Sequence, residues 1–318
     1  MCVVPTYNAN YFDLLNSRKI QALFILILNV YECQESEQTD TMNELEDVRK
    51  AAENFVRERD WEKFHSPCNI LLALCGEVGE IAECFQWKGN LDNGVVACEP
   101  GDSKNAQAAF TPAEVVHVGE EVADVMIYLT RLSDVMRLDL AAAVSNLIRA
   151  THGKNGQREP AVSVHMEEGC GWSSCIIADL HAHAAEQCVH RSPRRYSFKL
   201  MTAAGKLTSL FASRPEGECS VPCQQWVDRD FTAAAEVIAE VAVLCAATAN
   251  AFALDVGQVI ARKFERNAAK YPAQTVRGSS AKYTAYAAAK ATGEESGGAV
   301  ALALLAGAAL GFLLARRG

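Results

Sequence analysis

Apolar residues recur through the middle of the chain at the spacing of one helix face. Ile70–Leu74 and Ile81–Phe85 bracket one such face, and Val125–Leu129 carries another. Helices are predicted over about 42–60, 67–87, 112–136 and 139–151. Asp60 or Ser66 suits a helix start, Pro67 suits a first helical position, and Thr111-Pro112-Ala113-Glu114 is a strong start signal for the third helix. Residues 88–110 read as a loop, with Gly89, Asn93-Gly94 and Pro100-Gly101; its length fits a lid or a surface insertion. Alternating β-branched runs are missing from the sequence, so the fold class expected is all-α.

The pattern then repeats. Phe64–Phe85 can be laid on His190–Phe211 without a gap, so that Ser66 meets Ser192, Pro67 meets Pro193, Gly79 meets Gly205 and Phe85 meets Phe211. After a shorter loop, Glu120 meets Glu236, Val125 meets Val241, and Leu138-Asp139-Leu140 meets Leu254-Asp255-Val256. Two related helical units are expected, 42–152 and 174–290, with 153–173 as a Gly-rich polar linker.

The ends differ from this body. Residues 1–41 form an N-terminal extension whose apolar stretch Ile20–Val30, about eleven residues, is too short to span a bilayer. No small-residue cleavage site follows it, and Met42 directly precedes the first helix. At the other end, 299–315 is an unbroken apolar run of about seventeen residues before Arg316-Arg317, with Gly307 and Gly311 at GxxxG spacing. This segment is expected to be a transmembrane tail anchor that leaves the body facing the cytosol on an intracellular membrane; without it the protein would be cytoplasmic.

The chain has 318 residues, enough for two domains, and a formal charge of −9 that argues against a nucleic acid polymer as partner. It does not argue against one nucleotide held through a metal. The 12 cysteines are scattered, which suits a reducing compartment. Cys170, Cys175, His181, His183, Cys188 and His190 are dense, but their spacings fit no standard zinc pattern, so they are read as ordinary helix and linker residues.

Two pairs of acids stand out against the apolar faces: Glu77 with Glu80, and Glu121 with Asp124. Residues three apart share a helix face. An unpaired carboxylate is costly to bury, so two such helices facing each other would make an oxygen-rich pocket suited to Mg²⁺. The plainer alternative is a pair of exposed faces partnered by Lys63 or Arg131. Glu120 points about 100° away from Glu121 and is the weaker ligand. Trp61 and Trp87 fit either a base-stacking pocket or an ordinary core.

With these residues together, the chain resembles the all-α nucleoside triphosphate pyrophosphatases of the MazG type, and within them the dCTP pyrophosphatase branch. The resemblance is carried by Arg59–His65, Asn69–Leu74, Gly76–Glu83, Phe85–Lys88 and Glu120–Leu129, and resumes at Lys263–Pro272 and Ser279–Thr284. It implies that Glu77, Glu80, Glu121 and Asp124 bind Mg²⁺, with Glu77 or Glu80 also orienting the attacking water. It implies that Trp61 and Trp87 line the base pocket, with Tyr128 and His65 as further pocket residues. The reaction implied is water attack on the α-phosphorus of a dNTP, preferably dCTP or a modified dCTP, giving dCMP and pyrophosphate. Such activity would control the nucleotide pool.

The second unit departs from this pattern. Ala203 and Lys206 replace Glu77 and Glu80, Val237 and Glu240 replace Glu121 and Asp124, and Gln187 and Ser213 replace Trp61 and Trp87. It alone keeps the family's last-helix residues, Lys263, Asn267 and Tyr271-Pro272, where the first unit has Leu147, Thr151 and Asn155-Gly156. The expectation is an intramolecular pseudo-dimer of two MazG-like bundles with one composite site, compatible with a homodimer of pseudo-dimers. The rival readings are a related enzyme acting on dUTP or damaged dNTPs, and a membrane-tethered pseudoenzyme that binds nucleotide or a partner without turnover.

Overall fold

Helix starts follow their caps. In the computed structural model, which describes residues 41–91, 95–97, 109–152, 162–166, 170–187, 192–215, 223 and 226–279, α1 is Leu45–Glu58, α2 Pro67–Gln86, α3 Pro112–Val135 and α4 Leu140–His152. There follow α5 Ile177–Gln187, α6 Pro193–Ala212, α7 Asp228–Ala251, α8 Val256–Lys270 and the short α9 Ala273–Val276. Ser66 caps α2, its hydroxyl accepting from Asn69 N–H at 3.3 Å, and Thr111 with Glu114 forms a capping box on α3. Asp60 caps nothing: it turns the chain after α1 in the left-handed region, at φ 52°. One feature of 88–110 was not expected. Val96–Ala97 (β1) pairs in parallel with Ala109–Phe110 (β2), next to the fully buried ring of Phe110.

The described residues divide into two compact units, one comprising the residues through Asn54 with His65–Glu265, the other Phe55–Phe64 with the residues from Arg266. In the first, α2 and α6 are each 20 residues long, and α3 and α7 each 24. Both long helices end on a left-handed residue, Arg137 at φ 57° and Ala253 at φ 53°. Both next helices are capped alike, Asp139 accepting from Ala142 N–H and Asp255 from Gln258 N–H, each at 2.8 Å.

Their apolar faces merge into one core. α2 packs on α3, α6 on α7, α2 on α6 and α3 on α7, while α4 and α5 both lie on α7. At the centre Phe252 stacks on Phe85 and meets Phe110 edge-on, with centroids 6.0 and 4.9 Å apart. Arg194 of α6 donates to the carbonyls of Phe85, at 2.9 Å, and Lys88, at the end of α2. A reciprocal backbone exchange joins the approaches to α1 and α5: Leu45 N–H to Cys175 O, and Ile177 N–H to Asn43 O. Near the start of α8, Gly257 passes so close to Met42 that a Cβ would lie 2.0 Å from its carbonyl oxygen.

Among the described residues α7 is long and apolar enough to cross a bilayer, yet 72% of its most apolar window is buried by its neighbours. The segments Ile20–Val30, 299–315 and 280–290 lie outside the described residues, as do Cys188 and His190. His181 has both ring nitrogens engaged: Nε2 accepts from Val256 N–H at 3.0 Å and Nδ1 faces Asn250 Oδ1 at 2.6 Å. It therefore holds the start of α8 rather than a metal.

In the smaller compact unit, Phe55–Phe64 with the residues from Arg266, the buried Arg59 guanidinium lies 3.5 Å over the Phe55 ring and donates to the carbonyls of Phe55 and Tyr271. Gly278 N–H returns to Arg59 O at 2.8 Å, and Gly278 takes φ 72°, a conformation that suits glycine.

Candidate functional site

The apolar positions of α2 fix where its acids go. Leu74, Val78 and Ile81 turn into the core, which leaves Glu77 half-buried and Glu80 exposed. Glu121 is different: it lies among the buried residues of α3, at 4% exposure. Glu77, Glu80 and Glu121 each offer a carboxylate oxygen, and these oxygens all lie within 4.8 Å of one another. Glu121 Oε1 meets His117 Nδ1 at 3.2 Å, while its Oε2 is buried with no hydrogen-bond partner among the described residues. Burial pushes the Glu121 carboxyl up to about 7; Lys263 opposes the rise, and Asp124, Glu80 and Glu77 add to it.

Asp124, the fourth acid, forms an ion pair with Lys263 of α8. Both side chains are largely withdrawn from solvent, at 15% and 14% exposure. Lys263 thus reaches the acidic face of α3 from a helix 139 residues further along the chain, by position number. The corresponding place on α6 and α7 looks different. Lys206 meets Glu240 at 2.9 Å, Ala203 is buried and Val237 is half-buried.

Trp61 and Tyr271 come together in the smaller compact unit, Phe55–Phe64 with the residues from Arg266, edge to face with centroids 5.6 Å apart, and Trp61 Nε1–H donates to Ser279 O at 2.8 Å. Asn267 precedes Tyr271 by one helical turn, and its carbonyl accepts from Tyr271 N–H at 2.8 Å. Trp87 forms the C-cap of α2 and is 85% exposed. Tyr128, one turn beyond Asp124, is half-buried. His65, just before the α2 cap, accepts at Nδ1 from Arg131 Nε–H at 3.2 Å. Burial, then the Arg131 charge, pushes His65 down to about 4.

Neither of the alternative partners for the acids takes that part. Lys63 pairs with Asp60 at 2.8 Å, and Arg131 with Asp134 and His65. Sequence reasoning missed His117 and the role of Arg131. The i, i+4 spacing of His117 and Glu121 was the available signal for the first. The second had none, because His65 and Arg131 meet only through packing.

The residues present fit Mg²⁺. The donors are hard carboxylate oxygens, and a buried, unpartnered Glu121 Oε2 beside two further acids is an expensive arrangement that a divalent cation would satisfy.

No protein-family model matches the chain. It is 43% identical over 136 residues to dCTP pyrophosphatase 1 of Rattus norvegicus, which covers 43% of this chain and 67% of the rat protein. Against dCTP pyrophosphatase 1 of Bos taurus it is 42% identical over 136 residues, 43% of this chain and 68% of the bovine protein. The Homo sapiens protein of the same name is 47% identical over 100 residues, 31% of this chain and 52% of the human one.

Proposed function

The chain belongs to the dCTP pyrophosphatase family, and from that premise we propose that it hydrolyses dCTP, or a modified dCTP, to the monophosphate and pyrophosphate with Mg²⁺ at Glu77, Glu80 and Glu121. The observation that carries this reading is the convergence of those three carboxylates, one of them with a buried oxygen that has no hydrogen-bond partner among the described residues. When bound there, Mg²⁺ supplies the positive charge that lets acids and a triphosphate share one place, and it acidifies water. Glu77 or Glu80 serves to orient the attacking water and take its proton.

Lys263 answers the remaining negative charge. At rest it neutralises Asp124. With nucleotide present, its ammonium is suited to a phosphate oxygen, and Asp124 would then be a further carboxylate able to hold the metal. The exposed ring of Trp87 is an aromatic surface of the kind that stacks a base.

The tandem arrangement belongs to this reading. Equal helix lengths and matched turns support two copies of one helical unit joined as an intramolecular pseudo-dimer. Its second set of positions carries Lys206 and Glu240, which neutralise each other and need no cation. One competent site per chain follows, its acids from the first copy and its lysine from the second.

The experiment is pyrophosphate release from each common dNTP, by wild type and Glu80→Ala in parallel. Mg²⁺-dependent release greatest with dCTP, falling at least about a hundredfold in the variant, is expected. Release from another dNTP in preference to dCTP would move the activity to a different substrate. No release from any dNTP would leave the pseudoenzyme reading in its place.

A further inference from the structure

His65 is held by a chain of polar contacts that the catalytic acids do not require. Arg131 Nε–H donates to His65 Nδ1, and Arg131 Nη1 donates to Asp134 Oδ2 at 2.5 Å. Asp134 Oδ1 lies 3.5 Å from Arg49 Nη1. Arg49 in turn grips Glu46 with two hydrogen bonds, at 2.6 and 2.8 Å, and Glu46 accepts from Trp172 N–H at 3.2 Å. Arg131 and Arg49 are 11% and 13% exposed, so water competes weakly for these bonds.

The chemistry of the first contact leaves one arrangement. A guanidinium has only donors, so the His65 nitrogen facing it must carry a lone pair and no proton. A doubly protonated ring would set N–H against N–H. The ring is therefore neutral, with its proton on Nε2. Its low proton affinity, set by burial and the Arg131 charge, agrees with this.

Location gives that proton a use. Glu121, Asp124, Tyr128 and Arg131 fall on one stripe of α3, and Arg131 lies about 10 Å along the helix axis from Asp124. That separation suits the reach from a nucleotide's phosphates to its sugar and base. We propose that Arg131, anchored by Asp134, is a positioning residue that locks His65 as the Nε2–H tautomer, a fixed hydrogen-bond donor to an acceptor atom of the nucleoside. This rests on the nucleotide-hydrolase reading above.

The test combines nitrogen NMR with kinetics. In ¹⁵N-labelled Glu80→Ala protein, long-range proton–nitrogen spectra should show His65 with bare Nδ1 and protonated Nε2, and the Nε2–H signal should shift on addition of dCTP. In Arg131→Met combined with Asp134→Leu, which removes both partners so that no buried acid is stranded, the tautomers should mix. The same pair in the otherwise wild-type protein should raise KM for dCTP about tenfold with kcat within about twofold. Arg131→Lys with Asp134 intact restores one donor and should recover most of the loss. An Nδ1–H or doubly protonated His65 would overturn the proposal, as would an unchanged KM once the tautomers mix. The two readings also separate. If wild type releases no pyrophosphate while Nε2–H still responds to dCTP, the hydrolase reading falls and the His65 assignment stands. Turnover without that response sinks the His65 assignment alone.

Discussion

Glu121 is buried, faces two other acids and has one oxygen with no hydrogen-bond partner among the described residues, and its proton affinity follows from those facts. Its carboxyl is raised to about 7 from an ordinary 4.5. The folded metal-free protein therefore binds this proton more tightly than the unfolded chain. The sign is fixed by that difference: the cost of folding around a charged Glu121 is absent below about pH 4.5, grows as pH rises and is complete above about pH 7. Fully expressed the shift is about 3 kcal/mol, and solvent screening on the open side brings it to about 1–2 kcal/mol. Glu121→Gln should raise the metal-free Tm by several degrees at pH 8 and leave it unchanged at pH 4, as read by scanning calorimetry. The four acids were legible in the sequence because three-residue spacing on a helix is a local property. The Lys263–Asp124 pair was legible only as matching losses in two copies, and the Arg131–His65 contact not at all, since both depend on how distant helices dock.

Helix boundaries were legible for the same local reason. Ser, Pro and Thr-Pro signals placed the starts of α2 and α3, and the observed ends fall within a few residues of the expected ones. The two serine caps are nonetheless unequal. Ser66 accepts from the third residue of its helix, whereas Ser192 makes no side-chain cap bond. Ser66→Ala should cost about 1 kcal/mol and Ser192→Ala less than about 0.5 kcal/mol, a contrast that urea midpoints would register. Equal substitutions giving equal losses would mean that the Ser66 bond adds nothing. The β1–β2 pairing escaped the sequence because each strand is two residues long and has no room to show alternation. Asp60 escaped it because aspartate suits both a cap and a left-handed turn.

Across the whole chain, the internal repeat announced two similar sets of helices but not how they share an interior. Phe252 lies far along the sequence from Phe85 and Phe110, yet packs against both with no exposed surface. Phe252→Ala should destabilise by about 3–5 kcal/mol. Amide hydrogen exchange should speed up in Pro67–Gln86 as well as in Asp228–Ala251, and acceleration confined to the latter would mean the cores are separate. The burial of α7 has a further consequence, for synthesis. Among the described residues, the helices it packs against most, α3, α4, α5 and α6, lie before it in sequence and leave the ribosome first. A greasy segment that the membrane-insertion machinery would otherwise be prone to capture emerges to a docking surface already made, and translation order itself becomes its chaperone.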